Sequence, residues 1–349
     1  MEKFNLSTSR LNALIKHLMT RGIVYAPHKN GEVSFSFDEV RDPGKVILNY
    51  NRTLQSIKKY FLPPREQLLS FSLKSGSLSK VEPENPLRIF LGVHSYDMQA
   101  VLRLDYNFSQ GNPELNYLKR RQNSLFIGVS FEPDTYHFSR SVGIMVEEFD
   151  GFDLFLDKHS SGYTLYVVTQ AGEELLSGFD HLEEAPDRPA THREFRNKIK
   201  YNFNRLSEVF DHAWDSSVWE EIAQRCVGCG TCNLVCPTCY CFDVEDDVNL
   251  SLADGSRYRS WDGCMLNSFA KVAGGENFRA DLSDRQRHRV YRKFKYITDV
   301  TGEPWCVGCG RCTAYCTAGI SIVETVNRLC EEYEQTVLRK PLAKQDWVL

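Results

Sequence analysis

Two runs of cysteine restrict what this chain can fold into. One reads Cys226-Val-Gly-Cys229-Gly-Thr-Cys232-Asn-Leu-Val-Cys236-Pro237, the other Cys306-Val-Gly-Cys309-Gly-Arg-Cys312-Thr-Ala-Tyr-Cys316-Thr317. Each has the spacing C-x2-C-x2-C-x3-C, in which three thiolates wrap one short loop around a single metal group while the fourth points away. Gly228, Gly230, Gly308 and Gly310 suit such loops, because glycine lets the backbone approach the sulfurs and aim its N–H groups at them. All twelve cysteines lie between Cys226 and Cys330. Such crowding, with no export signal, fits metal-bound thiolates in a reducing cytoplasm.

The same spacing, used twice, is how iron–sulfur proteins hold a pair of [4Fe–4S] cubanes, the fourth cysteine of each run ligating the other cubane. Cys226, Cys229, Cys232 and Cys316 are thus expected to hold one cluster, and Cys306, Cys309, Cys312 and Cys236 the second. Structural zinc sites use four cysteines in separated pairs instead of two runs of four. Disulfide frameworks belong to smaller, secreted chains. The pattern implies electron transfer.

The length of 349 residues suits two domains, and 42% hydrophobic residues suffice for buried cores. A net charge of −4 gives no global field for nucleic acid. The N-terminus reads as an amphipathic helix without a secretory signal, and no stretch approaches the roughly 18 apolar residues of a membrane span. The boundary is expected before the first cysteine: an α/β (or α+β) domain over 1–210, then a mostly helical, ferredoxin-like dicluster domain over 211–340. The runs start 80 residues apart, with a long insertion between Pro237 and Trp305.

Leu11, Leu14, Ile15, Leu18 and Met19 recur at helical spacing behind Ser7 or Thr8 as cap. Strands are expected at 23–26, 33–37 and 46–50, with structure resuming at 66–71. Residues 88–93 and 124–130 read as strands buried on both faces, with a helical pattern through Met98, Val101 and Leu102 between them. That is a βαβ unit with a parallel component. Weaker alternation at 152–156 and 163–169 suggests strands near a sheet edge. Residues 173–192, with Pro186 and Pro189, read as a connector into a helix at 193–208.

The insertion contains Cys236-Pro-Thr-Cys-Tyr-Cys-Phe-Asp-Val244 and Arg257-Tyr-Arg-Ser-Trp-Asp-Gly-Cys264, then Phe269-Ala-Lys-Val-Ala-Gly-Gly275, Asn277-Phe-Arg279 and Arg287-His-Arg289. With Phe61-Leu-Pro-Pro-Arg-Glu66 and Gly92-Val-His-Ser-Tyr-Asp97 upstream, nearly the whole chain resembles the β subunits of sulfhydrogenases, which are NAD(P)-linked cytoplasmic [NiFe] hydrogenases. It is also similar to the related electron-transfer subunits of anaerobic sulfite reductases. The insertion favours the hydrogenase branch. The resemblance implies a relay with no catalytic residue of its own. Its partners would be a nickel–iron large subunit, an iron–sulfur small subunit and a flavin- and NAD(P)-binding subunit; in the sulfite-reducing branch the terminal partner carries siroheme. Two features depart from the family. Thr317 replaces the proline that usually follows the fourth cysteine. Many members also carry cysteines near Tyr96 and after Phe131, where this chain has none, so no N-terminal cluster is expected.

Cys239, Cys241 and Cys264 supply three further thiolates, one short of a ligand set for a third cluster. Cys330, His288, Asp262 or a partner group are the candidates for a fourth ligand; the competing reading is that the three pack as reduced cysteines. Cys330 shares a helix face with Ile322, Val326, Tyr333 and Val337 and reads as core. The basic stretch of Arg279, Arg285, Arg287, Arg289, Arg292, Lys293 and Lys295 reads mostly as a solvated face, with two or three arginines left to act on a cluster or a partner. His94 and Asp97 end a buried strand, where α/β sheets bind ligands, but they read as structural. His28 belongs to no ligand cluster. No G-x-G-x-x-G follows a strand, so neither NAD nor flavin is assigned to the N-terminal domain. A self-contained ferredoxin-dependent enzyme with its site in 1–200 is one alternative, and no motif supports it; a protein whose clusters serve only structure or redox sensing is another, and its signature would be one exposed cluster instead of two cross-ligated ones.

Overall fold

Twelve strands form among the described residues (2–180, 182–188 and 191–338) of the computed structural model. They are β1 (Lys3–Ser7), β2 (Ile23–Lys29), β3 (Phe35–Glu39), β4 (Arg65–Ser72), β5 (Ser77–Lys80), β6 (Arg88–Val93), β7 (Ser124–Val129), β8 (Leu154–His159), β9 (Gly162–Val167), β10 (Glu183–Glu184), β11 (Phe242–Val248) and β12 (Asp254–Trp261). The α-helices are α1 (Thr8–Arg21), α2 (Ser95–Ser109), α3 (Leu115–Gln122), α4 (Gln170–Leu176), α5 (Phe203–Asp211), α6 (Val218–Arg225), α7 (Thr231–Leu234), α8 (Leu282–Phe294), α9 (Thr298–Thr301), α10 (Arg311–Ala314) and α11 (Ile322–Tyr333). No described helix is long and apolar enough to cross a membrane. Pro189 of the expected connector and Lys340 at the expected domain end lie outside the described residues.

One compact unit comprises Met1–Pro63, Glu82–Asp134 and Ile144–Glu194. Its eight-stranded sheet has the order β10-β1-β9-β8-β7-β6-β2-β3. The pairs β2/β6, β6/β7 and β7/β8 are parallel, and the other pairs are antiparallel. The run Ile89-Phe-Leu91 is wholly buried, and Phe90 stacks on Phe126 of β7 at 5.4 Å. Burying each such side chain contributes about 1.5–3 kcal/mol. The β6–α2–α3–β7 crossover is the expected βαβ unit. At Gly92 the register slips and φ is +82°; a Cβ there would meet Leu48 Cδ2 at 2.5 Å, so only glycine fits.

Several expectations are corrected in this unit. Residues 3–7, read with the rest of Met1–Gly22 as helical, pair as a strand with β9, while α1 starts at Thr8 behind Ser7, where the cap is expected. That pairing also places β8 and β9 inside the sheet, not near its edge. Residues 46–50 make only one bridge, His28 to Val46, because the chain there serves packing: the Tyr50 hydroxyl donates to Gly92 O at 2.8 Å. The connector begins with α4 and contains β10. Arg193 starts no helix. Its guanidinium is buried against Glu132, Glu147 and Asp157, and the helix waits until Phe203.

The second unit gathers Pro64–Val81, Thr135–Gly143 and Phe195 onward. This unit reaches back past the expected cut at 210/211 to Phe195 and also draws in the two earlier segments. Helices α5, α6, α8 and α11 bury Phe210, Trp219, Tyr291, Phe294 and Leu329, and Tyr291 Oη donates to Phe210 O at 2.7 Å. The unit is not helical throughout. Part of the insertion folds as the β11/β12 hairpin and extends β4 and β5 into a four-stranded antiparallel sheet. Inside it Arg259 and Glu66, both buried, pair at 2.5 Å. Glu66→Ala leaves the Arg259 charge buried without this partner and is expected to destabilise the unit by about 3–5 kcal/mol. Denaturant unfolding of the holoprotein measures this loss, and an apolar pair replacing both residues should recover most of it.

Candidate metal centre

The repeated sequence becomes a repeated backbone. In the first run Gly228 and Gly230 take φ of +66° and +74° before the single turn α7; in the second, Gly308 and Gly310 take +65° and +73° before α10. The second run is held by a segment that sequence reading missed. Phe138 N donates to Gly308 O at 2.9 Å, and Tyr136 O lies 2.5 Å from where a Gly310 Cβ would sit. No cysteine or motif marks residues 135–143, so nothing in the pattern could have pointed to them.

A cavity of about 430 Å³ is lined by Cys226, Cys229 and Cys232 together with Cys312 and Cys316. Cysteines from both runs therefore face one space. Donors point at the sulfurs: Gln286 Nε2 reaches Cys226 Sγ at 3.1 Å, Gly228 N the same sulfur at 3.4 Å, and Ile320 N reaches Cys316 Sγ at 3.4 Å. Thr231, and further Thr317, hydrogen-bond Cys229 and hold its thiol below the usual range. Thr317, the departure from the expected proline, thus stands in this wall. Burial pushes the Cys232 thiol up to about 12. Burial also raises Cys306, with Cys312, Cys309 and, from the first run, Cys236 adding to the rise. Ligation must displace such protons, which ties metal binding to proton release. Among the described residues no three His, Cys, Asp or Glu side chains are grouped to hold a single metal ion. Several sulfurs from both runs facing one space make the kind of donor set a multi-iron cage takes.

Helix α8 borders the cysteines. Arg285, Arg289 and Lys293, spaced by four, are 8%, 5% and 4% exposed, so the solvated-face reading is wrong for these three. Burial opposes the Arg289 charge, yet the neighbouring Cys232, Cys312, Cys236 and Cys239 side chains raise its proton affinity well above normal. Burial likewise opposes Lys293, and Cys236, Cys239 and Cys306 reverse the effect. Lys293 Nζ also donates to Thr238 Oγ1 at 2.7 Å. Buried cations beside thiolates offset negative charge that would otherwise be costly in a low-dielectric interior.

A second cavity, of about 410 Å³, is lined by Cys239, Cys241, Cys264 and His288, with Arg289 and Lys293 in its wall. Asn233 Nδ2 lies 3.5 Å from Cys264 Sγ and 3.7 Å from Cys239 Sγ, while its Oδ1 accepts from Met265 N at 2.9 Å. Of the fourth-ligand candidates within the chain, only His288 lines this space. Asp262 accepts from Gly263 N at 2.7 Å. Cys330 is wholly buried on α11, its thiol raised by burial to about 12 with Lys200, Glu334 and Glu331 as its charged neighbours. Burial, with Arg279 and Arg292, lowers His288 to about 4, leaving a neutral imidazole at pH 7.

In the other unit His94 is fully buried, stacked 4.0 Å from the Tyr50 ring, with Nδ1 2.6 Å from Tyr96 Oη. Asp97 is 1% exposed on α2. The segments around Tyr96 and Phe131 meet, their rings 5.0 Å apart. His28 Nδ1 lies 2.9 Å from Ala26 O.

Residues 225–320 match the 4Fe-4S dicluster domain, a span containing both runs and the insertion. The chain is also 34% identical over 320 residues to sulfhydrogenase 2 subunit beta of Pyrococcus furiosus, covering 89% of this chain and 93% of that protein. Identity at that level across nearly the full length of both chains, with the dicluster domain in place, shows that this chain belongs to the sulfhydrogenase β-subunit family.

Proposed function

We propose that this chain is the iron–sulfur relay subunit of a cytoplasmic [NiFe] hydrogenase complex. It would pass electrons between the iron–sulfur small subunit that serves the nickel–iron large subunit and a partner that binds flavin and NAD(P). The cavity lined by cysteines of both runs carries this reading. Cys226, Cys229, Cys232 and Cys316 hold one [4Fe–4S] cluster; Cys306, Cys309, Cys312 and Cys236 hold the other. Bound clusters supply one-electron transfer at potentials set by charge, hydrogen bonds and burial. The chain's own residues set those conditions. Gln286 and the backbone N–H groups of Gly228 and Ile320 donate to the sulfurs, while Arg289 and Lys293 balance their charge. The cluster domain is 211–340, and no catalytic residue is assigned in 1–210.

The test is anaerobic purification of the untagged native complex to identify its partners, with iron and sulfide analysis of this chain after it is separated anaerobically from them. At least about eight iron and eight labile sulfide per chain are expected, together with a flavoprotein and nickel. A siroheme partner would transfer the relay to the sulfite-reducing branch. About four iron per chain, or bound zinc, would overturn the dicluster reading.

A further inference from the structure

We propose that the second cavity is a third iron–sulfur site, its cubane held by the thiolates of Cys239, Cys241 and Cys264 and by the imidazole of His288. The inference rests on the relay reading but stands on separate residues. Like the first cavity, this one gathers thiols from separate stretches of chain, Cys239 and Cys241 with Cys264, and it adds the imidazole of His288. Its three thiols line one space. Asn233 directs one amide group at two of the three sulfurs and is itself fixed by Met265 N. Gly263 permits that approach, since a Cβ there would meet Asn233 Cγ at 2.7 Å.

Charge supports the same assignment. Reduced cysteines packing as small hydrophobes need no counter-ions, yet Arg289, Arg292 and Lys293 all line this space. The placement also makes the site part of one chain of centres. Arg289 is common to the walls of both cavities. Cys239 N donates to the backbone oxygen of Cys236, which the relay reading assigns to the second cluster. Three residues span at most about 10–11 Å, so the third site adjoins that cluster. Replacing one thiolate by imidazole removes negative charge and raises the reduction potential, as histidine ligation does in other iron–sulfur centres. The third site should therefore titrate above the all-cysteine pair and act as the stage where electrons collect.

The test uses the anaerobically isolated holoprotein. Wild type should contain about twelve iron and twelve sulfide. Cys264→Ser should lose about four of each while the spectrum of the interacting pair persists. Labelling with ¹⁵N-histidine should give a nitrogen coupling in pulsed EPR of the highest-potential centre. His288→Cys should keep the iron, abolish the coupling and lower that centre's potential. Wild-type iron near eight with the pair intact overturns the third site and leaves the relay reading standing, whereas less iron than that defeats the relay reading itself. Twelve iron without a nitrogen coupling overturns the role of His288. Neither wild-type measurement depends on a variant that must fold.

Discussion

Cys236→Ser should damage the cluster bound by Cys306, Cys309 and Cys312, although those ligands lie 70 or more positions along the chain. The fourth cysteine of a run points away from its own loop, and Cys236 interacts electrostatically with Cys306 alongside Cys312 and Cys309. Outer-shell changes at metal sites already cost about 10–100-fold in affinity or activity. Removing a directly ligating thiolate should cost at least that, and EPR of the reduced variant should show one centre lost or converted. Cluster one, with Cys226, Cys229, Cys232 and Cys316, should keep its signal. Loss confined to cluster one would mean that each run serves its own cubane.

The second large effect is functional. In a complex carrying Cys309→Ser, NAD(P)-coupled turnover should fall by about a hundredfold or more, again judged against the cost of outer-shell changes. Activity of the terminal catalyst with an artificial dye should survive. Cys309 is 7% exposed, and its loop is locked to residues 136–139, so the change acts on the buried centre and not on a surface. A dye can reach the catalyst's own centres and does not need the relay.

The cysteine chemistry was legible because ligand spacing is local: four thiolates within one loop announce themselves whatever the fold. The βαβ unit was legible for a similar reason, since Arg88–Val93 and Ser124–Val129 are apolar on both faces and only a covered parallel sheet accepts such strands. What escaped depends on tertiary contact. Residues 3–7 look like a helix start until β9 offers them a ladder. Arg193 sits in a sequence that reads as helical, but three carboxylates fix it elsewhere. The basic stretch looked solvated because a sequence cannot say that Arg289 and Lys293 face thiolates contributed by loops before and after them. His288 was one of several candidates on composition; its place in the cavity wall separates it from Asp262 and Cys330.

The most direct measurement on the relay itself is the ratio of NAD(P)-coupled to dye-linked activity in the Cys309→Ser complex, taken on preparations with matched nickel content and subunit stoichiometry. A relay gives a ratio reduced by about a hundredfold or more, with dye-linked activity close to wild type. An unchanged ratio, whether because both activities persist or because both fall together, would contradict it and would give this chain a role in assembly or catalysis instead.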